Sequence, residues 1–244
     1  MIRSSLANRI ATIALGRPEK KNALTPAMLT NLNGAIAAID PAAKVLLLCG
    51  DGDAFCSGFD LSLCRDNSDA LRDLLTGLSA AIAALRDLPI PVIIAVHGAA
   101  IAGGCALLGG ADIVITHADC KLGYPVVKLG ISPAVSMPFL MPAVGPSAAR
   151  ARALDPALIS GAEAHRIGLA HECLPAASEV LPRASAIAAD LAAKPAIGLI
   201  ATKAWLNELD ATADPARASR GLSTSLSLVG SPEERDRLAQ LWTR

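Results

Sequence analysis

The sequence predicts an α/β fold with a helical C-terminal region, and three observations lead to that prediction. Short apolar, β-prone runs alternate with helical patterns in the first half of the chain. After Gly130 such runs almost disappear, while Ala, Leu and Arg recur at helical spacing. The chain has 244 residues, of which 52% are hydrophobic and 18% charged, so it can bury a large single core and is not intrinsically disordered.

The first predicted unit is strand, helix, strand. Residues 8–15 and 44–50 are β-prone runs; Gly16 follows the first, and the second ends in Gly50. Between them, Thr25 and Pro26 are typical of a helix N-terminus. The helix that follows carries apolar side chains at helical spacing: Met28, Leu29, Leu32 and Ile36.

Residues 92–96 and 112–116 are apolar and rich in β-branched side chains, as expected of strands buried on both faces. Helices are predicted over 70–86 and 103–110. No charge occurs between Asp87 and Asp112, which is long enough for a membrane span. Prolines and glycines interrupt this stretch, so it is predicted to be a buried strand, a turn and a buried helix.

The second half is predicted to be mostly helical, and Pro195, Pro215 and Pro232 lie near helix starts, where a missing N–H is harmless. We place an α/β core at residues 1–190 and a helical oligomerisation region at 191–244. Trp205 and Trp242 are among its many apolar side chains, which suggests subunit packing. The predicted helices are 146–154, 160–168, 177–193, 196–209, 214–228 and 232–242.

Composition excludes several classes of protein. Lys and Arg number 22 and Asp and Glu also 22, so no basic field favours nucleic acid. Aromatic residues make up 2% of the chain, too few for base-stacking platforms. The six cysteines form no C-x-x-C pair and no zinc spacing, which favours a reduced, cytoplasmic setting without a bound metal. The N-terminus resembles no targeting segment, and we expect no membrane association.

Two glycine-rich turns are the first candidates for chemistry. Residues 50–61 (GDGDAFCSGFDL) leave a strand through glycines and enter a short helix, and residues 96–105 (VHGAAIAGGC) do the same. Such turns on neighbouring strands can aim two backbone N–H groups at one oxygen, forming an oxyanion hole. Each turn taken alone is more often close packing than an anion site. Gly104-Cys105 stands where a nucleotide P-loop needs Gly-Lys-Ser/Thr, so ATP binding is not supported.

Four blocks together resemble the enoyl-CoA hydratase/isomerase (crotonase) superfamily, in order and in spacing. They span nearly the whole chain. They are residues 16–24 (GRPEKKNAL), 54–61 (AFCSGFDL), 91–98 (PVIIAVHG) with 111–115 (ADIVI), and 161–164 (GAEA) with 167–170 (IGLA), the last pair matching a helix and a strand of the family.

The resemblance implies a spiral of ββα turns, a C-terminal trimerisation region and an acyl-CoA thioester as ligand, with no cofactor besides this CoA. By motif position, the thioester oxygen would lie between the amides of Phe59 and Gly103. CoA would pass Lys20 and Lys21. The other residues assigned to CoA binding are Ser57, Leu61 and Pro125, together with Phe59 and Gly103. A homotrimer or a dimer of trimers is expected.

The sequence departs from the family pattern at its acids. Hydratases of the family use two glutamates as base and acid, and their positions by resemblance are Ala106 and Val126 here. A further acidic position used by some isomerases and dehalogenases is Ala134. The resemblance therefore implies an intact oxyanion hole without the paired-glutamate machinery. Decarboxylation of a malonyl-type thioester needs no general base and requires the fewest assumptions; a displaced acid or base is the other catalytic option.

Lys128, Ser132 and Ser136 are the candidates for such a displaced group, although loop hydroxyls commonly cap helices. His97 is expected to be a hydrogen-bonded structural residue, and Cys56, Cys64 and Cys105 to be buried thiols rather than nucleophiles. Two non-catalytic alternatives stay open: an acyl-CoA or acyl-carrier binding protein, and a partner subunit in a mixed oligomer. Asp60 and Asp112 are expected to cap or anchor turns rather than to act as acid or base. Arg65 and Asp66 either contact a polar acyl group or are solvated.

Overall fold

The computed structural model describes residues 1–65, 67 and 69–241 and shows two β-sheets surrounded by helices. A six-stranded sheet has the order β1-β2-β3-β4-β6-β9, and a three-stranded sheet has the order β5-β7-β8. Only the β1–β2 and β7–β8 pairs are antiparallel. The strands are β1 (Ile2–Ala7), β2 (Ile10–Leu15), β3 (Val45–Gly50), β4 (Val92–Ala95), β5 (Ala99–Ile101), β6 (Ile113–His117), β7 (Lys121–Gly123), β8 (Ile159–Ser160) and β9 (Glu172–Leu174).

The described residues form α-helices between the strands and at the C-terminal end. They are α1 (Pro26–Ala37), α2 (Ala70–Asp87), α3 (Gly103–Leu107), α4 (Met137–Leu154), α5 (Gly161–Arg166), α6 (Ala177–Ala192), α7 (Ala196–Leu209), α8 (Pro215–Leu226) and α9 (Pro232–Ala239). Short 3₁₀ helices lie at Pro18–Lys20, Leu61–Cys64, Leu108–Gly110, Val127–Leu129 and Pro133–Ser136.

From β4 to β7, successive strands alternate between the two sheets, which gives this part of the chain its spiral course. β4 and β6 belong to the large sheet, and each is followed by a short strand, β5 or β7, in the small sheet. The extended chain after β3 follows the same course, because Cys56 forms a parallel bridge with Ala100 beside β5. Each turn of the spiral thus ends at the edge of the small sheet, where the next helix begins.

Both faces of the large sheet are buried. One face packs against α1 and α2, which bury Leu29, Leu32, Leu74 and Leu78 among others. The other face packs against α6 through Val180 and the small residues Ala184, Ala188 and Ala192. Strands covered on both sides explain the uninterrupted apolar runs of β3 and β4.

Most of the predicted helices are confirmed to within a few residues; the predicted helix 146–154 is the second part of α4, which begins at Met137 and is interrupted at Gly145. Thr25 caps α1, with its hydroxyl accepting a hydrogen bond from Met28 N, and α7 spans the predicted 196–209. Pro195, Pro215 and Pro232 all stand at helix starts. Asp66 and Trp242, and the end of the predicted 232–242 helix, lie outside the described residues.

Several boundaries needed correction. The predicted strand 8–15 starts at Ile10, since Asn8 and Arg9 form a left-handed turn that pairs β1 with β2 as a hairpin. The predicted helix 103–110 is α-helical only to Leu107. Residues 167–170 do not form the expected strand; they include a turn at Gly168, which has φ +87°. The strand follows the turn as β9. The uncharged stretch before Asp112 contains β4, β5 and α3, as predicted.

No single helix among the described residues is long and apolar enough to cross a membrane. The helices α6 and α7 meet the length and composition criteria only as a pair, and they are bent by 110° where they join.

Candidate active site

The two glycine-rich turns lie side by side at the edge of the small sheet. Cys56 N donates to Ala99 O at 3.0 Å, and Ile101 N donates to Cys56 O at 3.0 Å. Phe59 and Gly103 each lie three residues beyond the bridged pair Cys56 and Ala100. Because the paired segments run parallel, equal offsets bring Phe59 and Gly103 to the same end of the site.

Close backbone approach explains why glycines stand in these turns. A Cβ on Gly58 would lie 3.0 Å from Ile101 O, and one on Gly104 would lie 2.5 Å from Cys56 O. Gly58 also has φ +101°, which side-chain-bearing residues rarely adopt. The turns therefore contact each other through their main chains, and larger residues would separate them.

The amides of Phe59 and Gly103 are free to bind a ligand. In the described part of the chain, neither N–H donates to another group. Gly103 N is the first amide of α3, whose helical hydrogen bonds leave it unused. It follows Ala102, which has φ +50° and ψ −111° and is held by its own N–H donating to Gly123 O at 2.8 Å. Strained backbone at such a point is typical of functional sites.

Both residues line one cavity, which is partly open to solvent. The sequence-predicted residues Ser57, Leu61, Ala106, Pro125, Val126, Lys128, Ser132 and Ser136 line it too. The remaining lining is mostly apolar and comes from α2, the small sheet and the 127–136 segment: Leu75, Leu78, Ile101, Ala102, Tyr124, Leu129, Ile131, Pro133 and Val135.

Ala106 and Val126 both face this cavity, so the two positions at which the resemblance implied acids present methyl groups to it. Ala106 is 3% exposed and packed in the core. Ala134 does not line this cavity but a groove on the outer side of the same segment. The described lining contains no carboxylate.

Three polar candidates line the cavity in different ways. Lys128 is exposed at its rim. The Ser132 hydroxyl accepts a hydrogen bond from Ala134 N at 3.2 Å and so caps the helix at Pro133–Ser136, as loop hydroxyls commonly do. Ser136 is buried and contacts Tyr124, whose hydroxyl donates to Cys105 O at 3.3 Å. Burial raises the pKa of Tyr124 well above its ordinary value, so it stays a donor.

Lys20 and Lys21 lie beside the cavity rather than in its lining. Both side chains are exposed. Ser57 N donates to Lys21 O at 3.0 Å, which ties this segment to the first turn. The buried amide of Asn22 fixes the segment further, since its Nδ2 donates to Asp51 O and to Ala54 O at 2.9 and 2.8 Å. The main chain of the two lysines is thereby held next to one side of the site.

Other residues considered from sequence have structural roles. His97 Nε2 lies 2.8 Å from Gly52 O, as expected of a structural histidine. Asp60 pairs with Arg17 at 2.7 Å. Burial opposes ionisation of Asp60, but hydrogen bonds from Ser62 and Arg17 hold its pKa below the usual value. Arg65 is exposed after its short helix and does not line the cavity.

The thiols are poor nucleophiles. Burial raises the pKa of Cys56 and of Cys105 to about 12 and that of Cys64 to about 11. A thiol with so high a pKa is protonated at neutral pH. The described residues contain no group of three or more His, Cys, Asp or Glu side chains arranged for a metal ion.

Asp112 anchors the end of the spiral against the C-terminal helices. Its Oδ2 accepts from Val92 N at 2.7 Å and lies 2.8 Å from Lys203 Nζ, and its Oδ1 lies 3.4 Å from Arg86. Lys203 is buried and also donates to Ile90 O. Burial lowers the pKa of Lys203, and Asp112 opposes that shift. Sequence reasoning gave Asp112 an anchoring role but missed both cations.

Sequence reasoning also missed Tyr124, Leu75 and Leu78 as cavity residues. The two leucines stand at i and i+3 on α2, a spacing that predicts one helix face but not what that face covers. Tyr124 is the only tyrosine in the chain, and it stands two residues before Val126, one of the glutamate positions implied by the resemblance. Its polar hydroxyl in an apolar context was the available signal.

Comparison with known proteins agrees with this geometry. A profile of the enoyl-CoA hydratase/isomerase family matches residues 5–236. This chain belongs to that family. Crotonyl-CoA hydratase of Syntrophomonas wolfei subsp. wolfei is 32% identical over 205 residues, which are 82% of this chain and 78% of the relative.

Solved structures show the same fold. An enoyl-CoA hydratase/isomerase from Xanthobacter autotrophicus Py2 has 29% identity and a TM-score of 0.88, over 98% of this chain and 91% of that chain. OdaA of Pseudomonas aeruginosa has 29% identity and a TM-score of 0.87, over 100% and 99% of the two chains. The crotonase fold expected from the sequence is confirmed, and family membership implies the processing of acyl-CoA.

Proposed function

We propose that this family member binds an acyl-CoA thioester in the cavity and stabilises its enolate through the amides of Phe59 and Gly103. One observation supports this most: two free backbone donors on adjacent turns line a single apolar cavity. Preorganised N–H groups in a site from which water is largely excluded stabilise a developing oxyanion strongly. The acyl group occupies the apolar part, and the CoA passes Ser57, Leu61 and Pro125 towards the exposed Lys20 and Lys21.

The reaction does not use paired glutamates. With Ala106 and Val126 at the cavity wall, no carboxylate there activates water or protonates the α-carbon. In a malonyl-type thioester, cleavage of the bond to the carboxylate releases carbon dioxide and leaves its electron pair in the enolate. The α-carbon then takes one proton. Ser136, Ser132 and Lys128 line the cavity and carry exchangeable protons that could reach the α-carbon, Ser136 being the buried one of the three.

The experiment is mass-spectrometric. The pure protein is incubated in heavy water with saturated, α,β-unsaturated, β,γ-unsaturated and malonyl-type acyl-CoAs, and product mass and α-carbon deuterium are measured. We expect loss of carbon dioxide or deuterium uptake with at least one thioester, and slow or absent hydration of a simple enoyl-CoA. Rapid hydration that survives replacement of Ser136, Ser132 and Lys128 by alanine would contradict the proposed mechanism.

A non-catalytic acyl-CoA or acyl-carrier binding protein is the second candidate, favoured by the apolar side chains at Ala106 and Val126. It is distinguished by the same experiment. Binding of acyl-CoA without any change in mass or deuterium content supports it over the enzyme.

The proposed assembly is a homotrimer or dimer of trimers that uses α7 as an interface. The buried side chains of this helix are Lys203 and Asn207, whereas Ile197 is 84% and Trp205 56% exposed. A helix with polar residues inward and apolar residues outward needs a partner for its outer face. Sedimentation of the Trp205→Glu variant, compared with the unaltered protein, tests the role of α7 as an interface. We expect the variant to sediment as the 24.9 kDa monomer.

Four further expectations stay predictions: a cytoplasmic location, the absence of a nucleic-acid or membrane partner, the role as partner subunit and the division at residue 190.

A further inference from the structure

Helix α8 packs directly on the segment that forms one wall of the cavity. Its contact face carries Gly221 and Ser225, one helical turn apart. A Cβ on Gly221 would lie 2.7 Å from Ala134 O and 3.4 Å from Pro138 Cγ. The helix therefore approaches the main chain of the 132–138 segment as closely as a glycine permits.

Ser225 is hydrogen bonded to this segment at two points. Its hydroxyl donates to Ser132 O at 3.0 Å and accepts from Val135 N at 3.1 Å. The residue is 1% exposed, so water does not compete for either bond. A buried hydroxyl with both capacities used holds the two ends of the short Pro133–Ser136 helix in a fixed relation.

The clamped segment faces the proposed acyl site. Ser132, Pro133, Val135 and Ser136 all line the cavity, on the wall that α8 supports from behind. Ser225 itself does not line it. Its hydroxyl helps to determine where Val135 and Ser136 stand, and therefore the width of the cavity at this wall.

We infer that Ser225 is a positioning residue that sets the acyl-binding wall, an inference that rests on the proposed function. The C-terminal region then contributes to acyl selection through α8. The part of the ligand whose binding depends on Ser225 is the acyl group of the thioester. The CoA moiety lies at the other side of the site, beside Lys20 and Lys21, and does not depend on Ser225.

The test compares Ser225→Ala with Ser223→Ala, an exposed serine on the same helix. Titration calorimetry measures dissociation constants for butyryl-CoA, octanoyl-CoA and free CoA. Loss of the clamp leaves Val135 N–H without a buried partner and lets the wall move. We expect Ser225→Ala to weaken binding of at least one acyl-CoA by about tenfold. Free CoA should bind within about twofold of the unaltered protein, and Ser223→Ala should change nothing beyond that.

The outcomes separate the inference from the function it rests on. If the unaltered protein binds no acyl-CoA, the proposed function is wrong and the inference falls with it. If it does bind, equal behaviour of the two serine variants overturns the inference alone. So does an equal loss for acyl-CoA and free CoA, which a general structural defect would cause. Should Ser225→Ala fail to fold, Gly221→Ala takes its place, with Gly34→Ala as control because nothing lies within 4 Å of its Cβ.

Discussion

Replacing Gly104 with alanine should remove one of the two donors of the proposed oxyanion hole while leaving every polar group in place. The new Cβ would lie 2.5 Å from Cys56 O and 2.7 Å from Cys56 Cβ, both within the neighbouring turn. Ordinary contact begins near 3.4 Å, so the turns must separate by about 0.9 Å. Oxyanion donors function only at about 2.7–3.1 Å from the oxygen, so one of the two amides is lost. We expect the rate of enolate formation to fall about 10²- to 10³-fold.

The assay is α-carbon deuterium exchange on whichever thioester exchanges with the unaltered protein. Overpacking of this kind also costs about 1–3 kcal/mol of stability, which thermal unfolding measures in parallel. Gly34→Ala is the matched control, since nothing lies within 4 Å of its Cβ and a helical Gly→Ala change gains about 0.5–1 kcal/mol. A folded Gly104→Ala protein that exchanges deuterium at the unaltered rate would refute the reasoning.

Three further predictions concern stability and reactivity. Lys203→Met leaves the partly buried carboxylate of Asp112 without one of its cations and should lower the free energy of unfolding by about 3 kcal/mol, measured by chemical denaturation. Arg166→Met removes the cation of an exposed pair and should lower it by less than about 1 kcal/mol. Equal losses for the two variants would contradict this. With iodoacetamide at pH 8, intact mass and peptide mapping should show Cys56 and Cys105 unmodified until denaturant is added, because burial raises the pKa of both thiols to about 12. Burial lowers the pKa of His117, whose Nε2 accepts a hydrogen bond from Gly98 N at 3.0 Å. As pH falls, this histidine is therefore protonated in the unfolded chain before it is protonated in the folded protein. Unfolding free energy should hold above pH 6.5, the ordinary histidine value, and decline as pH falls below it; a profile that stays flat down to pH 5 would argue against this.

The fold was predictable where local sequence determines it. Thr25-Pro26 and the spacing from Met28 to Ile36 predict α1 because capping and one-sided burial act within a few residues. β1 was missed because its side chains are mostly exposed on an edge strand, so its hydrophobic pattern is weak. The short strands of the small sheet, such as β5, are only three residues long and are determined by their neighbours rather than by propensity.

The site was predictable in its main chain and less so in its walls. Gly58 and Gly104 are required by main-chain contacts between the two turns, and glycines mark both turns in the sequence. The support behind the cavity comes from Ser225, which lies 93 residues from Ser132 in sequence. No local pattern pairs a helix serine with a carbonyl so distant, because that contact exists only after α8 has packed on the core. What the sequence predicted is therefore the proposed oxyanion donors, and what it left open is the side of the cavity that would select the acyl group. The measurements on Gly104 and Ser225 address these two halves separately: the first should change the rate of enolate formation, the second the affinity for the acyl chain.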